Sequence, residues 1–179
     1  MPSAPSGAVA IDPTNTNRIY LGTGEYDSYM PGTGVYRSTD GGAHWDSLRM
    51  AYGIVPRKVS RILIAPWNSS IVFVASEKGL HRSTDAGNSW TIVLPYDISD
   101  VAASPSGSFM LAGLNMRAVS KSTDFGVTWQ TVTDLPWFNE GNSHADTTIG
   151  RISLAISPTR LRASLRSPVA SSGLTYPRD

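Results

Sequence analysis

Short apolar runs recur along this chain, each cut off by Pro, Gly, Asn or Ser before it reaches helical length. Ala8-Val9-Ala10-Ile11 runs into Pro13, Arg18-Ile19-Tyr20-Leu21 follows a polar turn, Gly34-Val35-Tyr36-Arg37 comes third, and Trp45 to Leu48 closes the set. The order returns as Arg61-Ile62-Leu63-Ile64, Ile71-Val72-Phe73-Val74, Gly79-Leu80-His81-Arg82 and Trp90 to Val93. It returns again as Asp100-Val101-Ala102-Ala103, Phe109-Met110-Leu111-Ala112, Ala118-Val119-Ser120-Lys121 and Trp129 to Val132. Residues of this kind, separated by turn formers, predict antiparallel strands, four to a unit. No segment carries a sustained helical period.

Between the third and fourth runs of each unit stands one frame, S-T-D-x-G-x-x-W: Ser38 to Trp45, Ser83 to Trp90 and Ser122 to Trp129. Five fixed positions match by chance roughly once in a million windows, so three matches are an internal repeat. Pro66 to Asp85 and Pro105 to Asp124 each span 19 residues, whereas Pro13 to Asp40 spans 27, which places an insertion between the second and third strands of the first unit. Four strands per repeat of about 40 residues predict an all-β fold, a partial β-propeller of four-stranded antiparallel blades. The blades are expected at 6–49, 59–94 and 98–133, with 150–179 a degenerate or truncated fourth, all in one incomplete domain. Gly150-Arg151-Ile152-Ser153-Leu154-Ala155-Ile156-Ser157-Pro158 opens that fourth unit. Beyond it Arg160, Leu161, Arg162, Leu165 and Arg166 read either as a short helix or as an off-pattern tail.

The repeated frame has a turn's chemistry. Asp40, Asp85 and Asp124 can accept backbone N–H bonds inside their own turns, with Ser38, Ser83 and Ser122 joining the same local network. Gly42, Gly87 and Gly126 supply a left-handed backbone. Trp45, Trp90 and Trp129 leave the turn with a ring to bury against a neighbouring sheet. Each Asp is matched to a turn and not to its fellows, so these twelve residues are expected to be structural and not a metal or acid–base set.

Composition narrows the rest. Across 179 residues the net charge is +1, which offers no field to select nucleic acid or an anionic membrane surface. The absence of cysteine excludes a disulfide scaffold, a Cys-ligated zinc site and a thiol nucleophile. No apolar run approaches membrane-spanning length, and Met1-Pro2-Ser3-Ala4-Pro5 lacks the layout of a signal peptide. No cofactor is implied. His144 with Asp146 is too small a set for a metal site.

Strand order divides the loops between two faces. The first-to-second turns and the S-T-D frames share one face and are short. Gly24 to Thr33, Arg49 to Lys58 and Thr133 to Ile149, all long, fall on the other. Elaboration confined to one end of a rigid scaffold marks the binding face. Its candidate ligand contacts are Tyr26, Tyr29, Tyr52, Arg57, Trp137 and His144, because aromatic faces beside hydrogen-bonding groups suit a sugar. Glu25 or Asp27 with Glu140 or Asp146 could form the paired carboxylates that glycoside hydrolysis requires. The alternative is an ordinary solvated loop face.

S-x-D-x-G-x-x-W is the Asp-box, or BNR repeat, and over about residues 6–160 the chain resembles the sialidase, xyloglucanase and sortilin group of Asp-box propellers. The resemblance implies six or more blades in the whole protein, so the chain is expected to be a fragment, with self-association to close the ring as the alternative. It also implies an extracellular or cell-envelope location and a glycan or protein ligand. The expectation is a recognition scaffold; its rivals are the N-terminal piece of a glycoside hydrolase and a protein-binding assembly factor. Xyloglucanase-like enzymes carry an acid in a pattern like I-Y-x-x-T-D, where this chain has Ile19-Tyr20-Leu21-Gly22-Thr23-Gly24, so that role does not transfer. The sialidase F-R-I-P segment is matched only by Arg-Ile at Arg61-Ile62 and Arg151-Ile152. Both arginines are expected to bond backbone carbonyls and not a substrate.

Overall fold

A computed structural model describes residues 5–26, 30–115, 118–132, 152–156 and 161–165. The first sheet is β1 (Ser6–Asp12), β2 (Asn15–Thr23), β3 (Val35–Ser38) and β4 (Asp46–Ser47). The second is β5 (Val59–Ile64), β6 (Val72–Ser76), β7 (Gly79–Ser83) and β8 (Thr91–Leu94), and the third β9 (Ile98–Ala103), β10 (Met110–Leu114), β11 (Ala118–Ser122) and β12 (Gln130–Val132). In each the strands neighbour one another in chain order, all antiparallel. β13 (Ile152–Ile156) and β14 (Leu161–Leu165) form a two-stranded fourth sheet. The segment read as a helix or an off-pattern tail is therefore a strand: Leu161 pairs with Ile156 and Leu165 with Ile152, as the first two strands of each other sheet pair. Pairing with β13 satisfies the backbone of this segment better than an isolated helix of that length could satisfy itself.

The core is a series of seams between sheets. Tyr20, Val35 and Met50 meet Ile62, Val72, Val74 and Trp90 between the first and second sheets. Phe73, Ala75 and Leu80 meet Val101, Met110 and Ala112 between the second and third, and Leu111 and Val119 meet Ile152 beyond. Second strands lie between two seams, so β6 and β10 are buried at every position. This is why Val72-Phe73-Val74-Ala75 reads as an unbroken apolar run. The outer face of the first sheet shows the opposite. Val9 and Ile11 are 65% and 56% exposed, while Ile62 and Ile64, which hold the same places before Pro66, are 4% and 9% exposed.

The innermost strands are stitched through side chains. The Ser60 hydroxyl donates to the Ile98 carbonyl (2.6 Å) and the Ser99 hydroxyl to the Ile152 carbonyl (3.0 Å). Asp100 accepts the Leu154 amide at 2.8 Å. Arg61, expected to bond carbonyls, instead lies with its Nε 3.9 Å from Asp100.

Each S-T-D frame closes in the same way. The Ser hydroxyl donates to the Asp Oδ1 (2.8, 2.8 and 2.7 Å) and accepts the Gly amide (2.8, 2.8 and 3.0 Å). Asp Oδ1 takes the amides of His44, Ser89 and Thr128 (2.9, 2.8 and 2.9 Å), and Oδ2 takes their side chains at 2.6 Å. The indole N–H of Trp45, Trp90 and Trp129 donates to the Gly carbonyl of its own turn (2.9, 3.0 and 3.2 Å). The ring thus folds back over its turn, and Trp90 and Trp129 still fill the two inter-sheet seams. These donors hold Asp40 at about 2, through the His44 amide and ring, and Asp124 at about 2, through the Thr128 hydroxyl and amide. Burial would raise Asp85, but the Ser89 hydroxyl and amide outweigh it and leave that carboxyl at about 2 as well.

The turns also join the blades. Arg37 donates through Nη1 to the Ala86 carbonyl (2.6 Å) and to Asn88 Oδ1 (3.0 Å), and the Tyr20 hydroxyl reaches the same carbonyl at 2.9 Å. One blade on, Arg82 Nε reaches the Phe125 carbonyl at 3.4 Å. Ala86 and Phe125 have left-handed φ values of 56° and 61°, the conformation that turns those carbonyls toward the preceding sheet. Gly126 (φ 75°) allows the close approach, since a Cβ there would lie 2.6 Å from the Phe73 ring. The signal for this contact is in the sequence: a basic residue, Arg37, Arg82 or Lys121, precedes every box.

Two outcomes follow from these contacts. Ser83 is almost wholly buried, and Ser83→Ala leaves the Asp85 and Gly87 amides without their acceptor, so it should cost about 1–3 kcal/mol in urea unfolding. His81 is fully buried with no hydrogen-bond partner for either ring nitrogen among the described residues, and burial pushes it down to about 4 from an ordinary 6.5. The unfolded chain then takes up the proton first. Stability should fall as pH drops from about 6.5 and level off near 4, by roughly 3 kcal/mol in total. That part of the pH dependence should be missing from melts of His81→Phe.

Candidate functional site

The two faces differ in chemistry. On the Asp-box face the turns are short and pack on one another: the Thr14 hydroxyl reaches Ser69 Oγ at 3.0 Å, and the Trp67 and Phe125 rings lie 5.8 Å apart. The opposite face carries the 24–33 insertion and the 49–58 link, and hydrogen bonds fix their ends beside the buried Met50 and Ala51.

Thr23, at the end of β2, pins the first insertion. Its hydroxyl accepts the amides of Thr33 (2.7 Å) and Gly34 (3.0 Å) and donates to the Gly34 carbonyl (2.8 Å). The Gly24 amide donates to the Pro5 carbonyl and the Gly32 amide to the Arg57 carbonyl, both at 2.7 Å. Insertion and inter-blade link therefore meet beside the start of the innermost strands. The link is held from its other side by Glu77, whose carboxylate accepts the amides of Arg57 (2.9 Å) and Lys58 (3.0 Å).

Glu25 and Arg57 are thereby brought to one exposed junction. Tyr26, half-buried, donates its hydroxyl to Asp97, in the link before β9. Asp97 in turn accepts the Asn115 side-chain amide at 3.0 Å, and the Asn115 backbone amide donates to the Asp97 carbonyl at 2.8 Å. Tyr52 stands in a single 3-10 turn, Ala51–Gly53, between buried Met50 and Ala51 on one side and half-buried Ile54 on the other. It is 92% exposed and has a φ of 57°. An exposed aromatic ring held in a left-handed conformation is an uncommon expense for a surface residue.

Asp27, Tyr29, Trp137, Glu140, His144 and Asp146 lie outside the described residues. The structure therefore unites Glu25, Tyr26, Tyr52 and Arg57 on one face without addressing the second half of either carboxylate pair. Thr23, Glu77, Asp97 and Asn115, which hold the face together, escaped the sequence reading. Each is a single polar residue at a strand end or in a short loop, with no spacing to distinguish it from its neighbours. Among the described residues no three His, Asp or Glu side chains gather where they could hold a metal, and no helix is long and apolar enough to cross a membrane.

No family model matches the chain. A xyloglucanase of Acetivibrio thermocellus is 28% identical over 166 aligned residues, which cover 72% of this chain and 20% of that protein. A xyloglucanase of Hypocrea jecorina is 35% identical over 89 residues, 45% of this chain and 11% of its own length. The chain thus spans a fifth or less of the curated relatives it matches. Among solved structures, an ancestral GH74 enzyme superposes with a TM-score of 0.61 at 25% identity, over 73% of this chain and 20% of its own. YCF48 from Cyanidioschyzon merolae gives 0.57 at 16% identity, over 96% of this chain and 59% of its own, a likeness of fold alone. A structure of YCF48 bound to D1 peptide gives 0.50 at 20% identity, over 73% of this chain and 41% of its own, again a likeness of fold. With the solved structures the likeness is one of all-β fold, four-stranded antiparallel sheets in series.

Tyr52→Gly tests what the strained turn is for. Glycine occupies φ near 57° without the steric cost that tyrosine meets. Thermal melts should show stability unchanged or raised by about 1 kcal/mol; a marked loss would mean that the tyrosine ring supports the fold.

Proposed function

We propose that this chain, an Asp-box (BNR-type) propeller chain related to GH74 xyloglucanases and to YCF48, is a recognition scaffold that binds its ligand on the inter-blade loop face. The observation that carries this reading is the convergence of the 24–33 insertion and the 49–58 link. Together they present exposed Glu25, Arg57 and Tyr52 beside the Tyr26–Asp97–Asn115 contact. A phenol ring offers a stacking surface for the apolar face of a sugar, while carboxylate, guanidinium and amide groups complement its hydroxyls. Carbohydrate is the ligand class these groups favour, and kinship with xyloglucanases supports it. The units 6–49, 59–94, 98–133 and 150–179 act as one domain in this reading, with the site contributed by several of them.

A second reading is hydrolysis. It is favoured by the same relatives and by an exposed acid, Glu25, beside the loop junction; the partner acid would be Glu140 or Asp146, with Asp27 as the alternative to Glu25. A third class of ligand, a peptide, is suggested by the fold shared with YCF48.

Calorimetric titration with xyloglucan and cello-oligosaccharides separates these readings. Binding without release of reducing ends is the expected result, with Tyr52→Ala weakening it about tenfold, or about 1.4 kcal/mol. Cleavage abolished by Glu25→Gln would favour the enzyme. Failure to bind any oligosaccharide would overturn the carbohydrate reading.

A further inference from the structure

The Tyr26 contact is unlike the other ties on the loop face. Gly24, Gly32, Arg57 and Lys58 are held through backbone amides by groups in the same or the adjacent unit. Tyr26 instead bonds a residue 71 positions along the chain, Asp97, in the link between β8 and β9. Its acceptor is oriented in advance. Asp97 Oδ1 takes the phenol, Oδ2 takes the Asn115 side-chain amide, and the Asn115 backbone amide is bonded to the Asp97 carbonyl. No equivalent strut is needed by the seams, which are filled by apolar side chains on the strands below. Ordering an exposed insertion costs conformational entropy. Here the bond fixes Tyr26, the residue next to Glu25.

We propose that Asp97 and Asn115 are positioning residues of the loop-face site: they hold the Tyr26 hydroxyl and so fix Glu25 and the phenol ring where a hydroxyl-rich ligand is met. The inference rests on the loop-face reading above and deepens it, since it assigns Asp97, just before β9, and Asn115, just after β10, to a site whose exposed groups come from the first insertion and the 49–58 link. Each carboxylate oxygen of Asp97 has two lone pairs, and one protein donor uses only one of them.

The test exchanges donor and acceptor. Asn115→Asp sets two carboxylates against each other, and Asp97→Ala removes the phenol's acceptor; either should weaken oligosaccharide binding about tenfold. Each should also speed hydrogen exchange of the Glu25 amide about tenfold, while the Gly87 amide, in an Asp-box, keeps its protection. The double variant Asp97→Asn with Asn115→Asp restores one donor facing one acceptor, and it should recover most of both losses. A merely structural loss of the third blade would change Gly87 together with Glu25 and would not be rescued. Unchanged binding and exchange in Asp97→Ala, or a double variant no better than Asn115→Asp, would overturn the inference while leaving the loop face as a site. A wild-type chain that binds no oligosaccharide would overturn the loop-face reading itself, and with it the assignment of these residues to a ligand.

Discussion

One buried hydroxyl organises each blade. In the second, Ser83 donates to Asp85 while accepting the Gly87 amide, and the turn so closed projects the Ala86 carbonyl toward Arg37 and Tyr20 of the blade before. The same geometry recurs at Ser122, where the Phe125 carbonyl meets Arg82. The Asp-box is therefore both a hairpin closure and a joint. It converts a left-handed residue, ordinarily a local cost, into an acceptor that fixes the angle between neighbouring sheets. Stacked blades depend on such nearest-neighbour contacts, because no single central core unites them.

That dependence explains the distribution of apolar surface. Where the first sheet packs against the second, Ile62 and Ile64 on the second sheet's first strand are sealed. Val9 and Ile11 occupy the same positions on the first sheet and lie open. The difference arises from the neighbour alone, since the local strands are alike.

Rigid seams also account for the division between the two ends of the sheets. Short turns on the Asp-box side leave little backbone unsatisfied and little room for variation. On the other side the insertion and link have backbone groups to satisfy, and Thr23 and Glu77 accept several of their amides, while Asp97 takes the Tyr26 hydroxyl. A hydrogen-bonded face of this sort presents polar groups in fixed positions, which is the property a recognition site requires.

The sequence by itself determined the strands, their number in each blade and the turn between the last two, because each follows from local chemistry repeated three times. Alternation, a Pro or Gly at each break and the Ser-Asp-Gly-Trp frame are all readable within a few residues. It also located the elaborated face, since strand order alone decides which loops share an end. It misjudged the segment after Pro158, where Arg and Ser obscured a strand whose identity comes from pairing with β13. Only the tertiary structure decided how the blades grip one another and which polar residues hold the loop face. Arg37 meeting Ala86, or Tyr26 meeting Asp97, joins positions far apart in the chain. The energy of such a contact depends on a distance that no local pattern records.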